Sequence, residues 1–326
     1  IVLENGEPSG ILIDNPMELV FKIIPKPNRK KQIAGLLEAE RTMFQYGLTT
    51  VNDAGLDPDV INLIDSLQKA KALKINVYAM ITANKKNIDL YLKKGIYKTD
   101  NLNVCSFKMY GDGALGSRGA CLHKPYSDSP KQYGALLSSV EELKKVAKQI
   151  SNSPFQLNSH AIGDSANTVL LKIYKDALTG KKDRRWKIEH AQIMQEADFD
   201  YFATGIIPSV QPTHATSDMY WAGERLGKER LKNAYAYKKL LQKAGIVALG
   251  TDFPFDRINP FLTIFAATQR KNSENFPSGG FLSKEAISME NCIRGMTLWA
   301  AFAAFRENET GSLEKGKEAT LIMLEK

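Results

Sequence analysis

Four residues suited to a metal centre follow one another along the chain, each where a short apolar run stops. They are Lys108 in VCSFKMYGDGALGSR, His160 in FQLNSHAIGD, His190 in WKIEHAQ and Asp252 in IVALGTDFP. Two imidazoles and a carboxylate suit zinc and other borderline metals. Beside a metal, Asp252 can act both as ligand and as acceptor of a water's proton. A helix N-cap is the ordinary use of such an aspartate, but the next helical pattern starts only near residue 260. Lys108 is the odd member, because a cation repels a metal. A neutral lysine amine that takes up carbon dioxide becomes an anionic carbamate with two oxygens, and burial favours the neutral amine. Otherwise Lys108 reads as a surface lysine or as a clamp for a substrate carboxylate.

The elements that must carry these residues alternate in period. Strand-like runs at 48–55, 74–82, 103–110, 155–160, 186–190, 205–210 and 245–252 interleave with helical patterns. Those patterns cover 31–46, 58–72, 87–94, 140–151, 165–178, 195–204, 229–244, 260–271 and 283–305. Seven β-then-α units in a row specify a parallel sheet, because parallel strands need crossover helices of fixed hand. An open doubly wound sheet competes, but it gathers a ligand at one switch point. Neither GxGxxG after a first strand nor GxxxxGK[ST] occurs. A TIM-type (β/α)8 barrel, one strand short of closure, is the expected fold. Its active site would lie at the C-terminal ends of the strands.

At 326 residues, 43% hydrophobic and 25% charged, the chain has the composition of a soluble globular protein. No apolar run is long enough to span a bilayer, and no signal peptide is visible, so no membrane partner and a cytoplasmic location are expected. The net charge of +8 comes from lysines spread over several helical patterns, as at 141–149 and 228–243. A nucleic-acid reader would cluster them on one element, so no nucleic-acid partner is expected. Cys105, Cys121 and Cys292 are odd in number and lack CxxC spacing, which fits reduced thiols.

Taken together, FKMYGDGALGSRGACL, LNSHAIGDSA, IEHAQ, QPTHATSD, LGTDFP and the closing GSLEKGKEATLIML resemble the metal-dependent amidohydrolase superfamily. The nearest branch is similar to the N-substituted formamide deformylase-like enzymes of amidohydrolase family 3. The resemblance implies hydrolysis of a C–N bond (amide, N-formyl or cyclic amide-like) in a small-molecule substrate, through a metal-bound hydroxide. It implies one or two divalent metals, zinc before others. Lys108 would be the carboxylated bridging lysine, His160 and His190 ligands of the second metal, and Asp252 the strand-eight ligand and proton acceptor. His214 would lie near the substrate, with Arg118, Asp112 and Trp221 as further pocket residues. A homo-oligomer is compatible with this reading.

One departure is large. Members of the superfamily carry an HxH pair at the end of strand one, and here His123, His160, His190 and His214 are the only histidines. Strand one, its HxH pair and most of a small β-sandwich domain are therefore expected to lie outside this chain, which reads as a fragment. The expected division is a connecting segment at 1–30, the barrel at 31–305 and a β-sandwich strand at 306–326. The alternative function is a non-catalytic barrel that binds a ligand or partner, supported by the absent HxH. A metal-free aldolase or lyase using Lys108 as a Schiff-base amine is a third reading, opposed by the two histidines.

Overall fold

In the computed structural model, which describes residues 1–324, seven parallel strands succeed one another across a single sheet. They are β1 (Thr50–Leu56), β2 (Asn76–Thr82), β3 (Leu102–Tyr110), β4 (Gln156–Ala161), β5 (Lys187–His190), β6 (Ile207–Val210) and β7 (Ala248–Leu249). Each strand pairs with the next in chain order, with no reversal. A doubly wound sheet requires a reversal, so that alternative is excluded. A two-residue strand, Tyr97–Lys98, adds antiparallel pairing to β3.

The sheet curls into a half-barrel. Flat neighbouring strands sit about 4.8 Å apart, so residues on β3 and beyond β7 would be separated by roughly 19 Å. Instead the carboxylate following β7, on Asp252, acts electrostatically on Lys108 of β3. Among the described residues β1 and β7 do not pair with each other, and the sheet stays open there.

Both faces of the middle strands are buried, as a parallel sheet covered by helices requires. Eight of the nine residues of β3 and all four of β5 are buried. Local chemistry starts the covering helices. Ser139 caps helix Val140–Ser151 in a reciprocal capping box with Glu142, and Asn84 caps Lys85–Lys94. At the N-terminal end of the strands the backbone of 302–304 is bound from beneath. Asn103 donates to the Ala304 carbonyl at 3.1 Å, Gln156 to Ala303 at 3.0 Å, and Arg185 to Phe302 at 2.7 Å.

Several expected elements are corrected. The strand at 245–252 shrinks to Ala248–Leu249, because as a terminal strand it has one partner only. The helix at 229–244 is two, Ala222–Leu231 and Tyr237–Ala244. Between them Ala234 and Tyr235 turn inward, and Tyr235 N–H donates to the Gln192 carbonyl at 2.7 Å. The helix at 283–305 becomes a 3-10 turn and two helices, Met289–Met296 and Leu298–Ala303, broken at Thr297. Residues 319–324 form no strand, and the last two residues of the expected β-sandwich strand lie outside the described residues.

Candidate metal centre

The barrel interior below the mouth is polar. Ser106, Lys108, Asn158, Lys187 and Glu189 are all buried, where barrels ordinarily stack branched aliphatic side chains. Strand register explains their proximity: Lys108 pairs with Asn158 and Asn158 with Lys187, while Tyr110 pairs with His160 and His160 with Glu189.

At the C-terminal ends, His190, His214 and Asp252 each present a ligand atom, all within 4.8 Å of one another. His190 ends β5, His214 sits in the first turn of helix Pro212–Asp218 directly after β6, and Asp252 follows β7. The His190 and His214 rings stack at 5.6 Å, and the His160 ring meets His190 edge-on at 4.6 Å. His214 Nε2 lies 3.6 Å from Asp252 Oδ2. His190 (φ 74°) and Asp252 (φ 56°) are both in the left-handed region. Such backbone costs about 1–3 kcal/mol per residue and gathers at functional sites.

Electrostatics keep the imidazoles available as ligands. Burial, reinforced by the Lys108 charge, pushes His160 down to about 3. Burial and the neighbouring His160 and His214 hold His190 well below its usual value, and burial also lowers His214. Neutral imidazole is the form that binds metal. Burial pushes the Asp252 carboxyl up to about 6 although Lys108 opposes this. Lys108, 3% exposed, is driven toward the neutral amine by burial, against the pull of Glu189 and Asp252. Among the described residues it makes no ion pair, and its Nζ lies 5.2 Å from the Tyr110 ring centre. His160 Nε2 is buried without a hydrogen bond; the Asp112 carboxylate is 3.5 Å away. Imidazoles held neutral, an orphaned ring nitrogen and a half-buried carboxylate fit a divalent cation such as zinc.

The other expected pocket residues divide. His214, expected near the substrate, falls within the ligand group itself. Asp112 brackets the loop: its oxygens accept the backbone N–H groups of Cys121, Ile162 and Gly163 at 2.8–3.0 Å. Burial pushes its carboxyl up to about 7 despite those bonds. Arg118 is bound to Asp128 at 2.8 Å. Trp221 lies against Gly116, where an added Cβ would meet its ring at 3.3 Å, so it packs on the loop that follows Lys108.

Four further groups were not anticipated. Gln211 Oε1 pairs with His190 Nδ1 at 2.7 Å. Glu189 lies 3.3 Å from Lys187 Nζ, yet its Oε1 has no hydrogen bond of good geometry. Burial raises Glu189's pKa, but Lys187 and Lys108 outweigh it and hold the carboxyl below its usual value. Asp256 has a buried Oδ2 without a partner and acts on His214, Asp218 and Asp252. Asp53, in the middle of β1, is raised by burial. Gln211 and Glu189 stand beside motif residues, in SVQPTH and KIEH, and adjacency to a ligand was the signal available.

Known proteins share this framework. The profile of the amidohydrolase family matches residues 1–326. The Arabidopsis thaliana protein LONG AFTER FAR-RED 3 is 32% identical over 338 residues, covering 99% of this chain and 58% of that protein. An N-substituted formamide deformylase from Arthrobacter pascens is 27% identical over 199 residues, covering 59% of this chain and 36% of that protein. The crystal structure of a metal-dependent hydrolase from Pyrococcus horikoshii superposes with a TM-score of 0.84 at 27% identity. That match covers 94% of this chain and 62% of that one. The chain thus spans about three fifths of the length of such relatives.

Proposed function

From the premise that this chain belongs to the amidohydrolase family, we propose that it carries most of the catalytic barrel of a metal-dependent hydrolase. The reaction proposed is hydrolysis of an amide, N-formyl or cyclic amide-like C–N bond in a small molecule. The observation that carries the reading is the convergence of His190, His214 and Asp252 to within 4.8 Å at three successive strand ends. His160 and Lys108 border that group.

A divalent cation, zinc before others, would polarise the scissile carbonyl and lower the pKa of a water. The chain's own groups do the rest. His190 and His214 offer ring nitrogens held neutral by burial. Asp252, with its raised pKa, accepts the proton of the attacking water and delivers it to the leaving nitrogen as the C–N bond breaks. Lys108 is a candidate for carbamate formation. Its neutral Nζ attacks the carbon of carbon dioxide, an N–C bond forms, and one proton leaves to solvent. The product is an anion where a lysine cation would repel the metal.

The test uses the full-length protein loaded with zinc and a panel of N-formyl amines, primary amides and cyclic amides. Zinc-dependent release of amine from any class, lost on chelation and regained on adding zinc, supports the reading. A protein that binds zinc but cleaves no member of the panel contradicts the C–N assignment. Carbon-13 NMR of the protein in carbon-13-labelled bicarbonate, with Lys108→Arg as control, reads the carbamate directly: a carbamate signal absent from the control supports it, and no such signal contradicts it.

A further inference from the structure

We infer that Gln211 is the positioning residue of this centre, holding the ring of His190 through its side chain and the backbone of His214 through its carbonyl. The inference rests on the reading of the site as a metal centre and adds a residue that the conspicuous motif letters do not mark.

Three contacts carry it. Gln211 Oε1 is 2.7 Å from His190 Nδ1. An amide oxygen only accepts, so the imidazole proton sits on Nδ1 and the Nε2 lone pair is left for a metal. The Gln211 backbone carbonyl accepts from His214 N–H at 3.0 Å. The same carbonyl accepts from Tyr237 Oη, also at 3.0 Å. One residue therefore sets the tautomer and tilt of one histidine and the placement of the other, whose rings stack within 16° of parallel.

Gln211 is itself held. It is 7% exposed, at the junction between β6 and helix Pro212–Asp218. Tyr237, its carbonyl's second donor, is fully packed, with the buried Arg270 guanidinium 4.8 Å from its ring centre. A side chain that springs from a buried, doubly bonded backbone restrains the ring it binds more than one on a mobile loop would. Partners of this kind typically change metal affinity by about 10- to 100-fold when removed.

The experiment measures zinc affinity, not turnover. Wild type, Gln211→Leu and Gln211→Glu are prepared metal-free from the full-length protein, and zinc is titrated against a chromophoric chelator. Leucine keeps the bulk but removes the acceptor; glutamate keeps an acceptor oxygen at the same reach. Gln211→Leu is expected to bind zinc about 10- to 100-fold more weakly, and Gln211→Glu to stay near wild type or bind more tightly. Equal affinity for wild type and Gln211→Leu, or equal losses in both variants, overturns the inference. Should Gln211→Leu fail to fold, nitrogen-15 NMR of metal-free wild type decides. The His190 signal, identified by its loss in His190→Gln, is expected from the Nδ1-protonated tautomer, and the Nε2-protonated form overturns the inference. If wild type binds no zinc at all, the metal-centre reading falls with it; if wild type binds and the leucine variant binds equally, only Gln211's role falls.

Discussion

The middle of the sheet and its two ends are built differently. Strands β3 to β5 are deeply buried and deliver Lys108, His160 and His190. At one end β1 buries only Leu56, and the preceding helix, Arg29–Gln45, buries no residue. At the other end β7 is two residues long. Asp53, within β1, and Asp252, after β7, are only partly exposed and raised in pKa by burial. Packing in the middle thus fixes nitrogen donors, while the ends contribute acids whose proton affinity is shifted toward neutrality. The proposed hydrolase, which would bind a cation and also move a proton, calls for both.

If the ends carry the chemistry, the largest effect should come from a small change there. Asp252→Asn keeps the shape of the side chain but removes the proton acceptor. With an authentic substrate and saturating zinc, kcat should fall by about 10²- to 10⁴-fold while KM changes little. Near-normal kcat in this variant would remove Asp252 from the mechanism and erase the functional contrast.

If the middle is the rigid partner, it should tolerate no added atom. A Cβ on Gly163 would lie 2.0 Å from the Cys121 carbonyl oxygen, with backbone on both sides of the clash. Gly163→Ala should therefore cost about 3 kcal/mol in urea unfolding. Next in size is Tyr174→Phe. The Tyr174 hydroxyl lies 2.7 Å from Ser159 Oγ and 3.2 Å from the Leu157 carbonyl between β4 and its helix. Its loss leaves buried acceptors unpaired and should cost about 1–3 kcal/mol by the same measurement. Smallest is Gly250→Ala beside β7, where an added Cβ meets nothing within 4 Å. It should change stability by less than about 0.5 kcal/mol. Equal costs for Gly163→Ala and Gly250→Ala would show that the two regions do not differ in tightness.

The same contrast governed what was legible in the sequence. The middle strands read well because both of their faces are buried, giving apolar-rich runs such as NVCSFKMY, which carries Lys108 near its C-terminal end. The strand at 245–252 misread because GIVALGTD has the same composition, while pairing on one side only ends it at Leu249. Helix breaks at Tyr235 and Thr297 follow from tertiary packing, which composition does not record. Tyr235 adopts a left-handed backbone (φ 52°) to reach the Gln192 carbonyl. Lys108, His160, His190 and Asp252 were visible by type and position. His214 was visible too, but that its ring joins the ligand group depends on the curl of the sheet. Gln211 and Glu189 were hidden because glutamine and glutamate are ordinary letters beside a histidine; only the 2.7 Å contact and the orphaned carboxylate oxygen mark them.

The central claim is that His190, His214 and Asp252 form the heart of a metal centre. Elemental analysis of the full-length protein, incubated with zinc and dialysed, tests it beside the double variant His190→Ala/His214→Ala, with circular dichroism to confirm that both fold. The account predicts about one or more equivalents of zinc per chain in wild type and under about a tenth in the double variant. A folded wild type that retains no metal, or a double variant that retains as much as wild type, would contradict it.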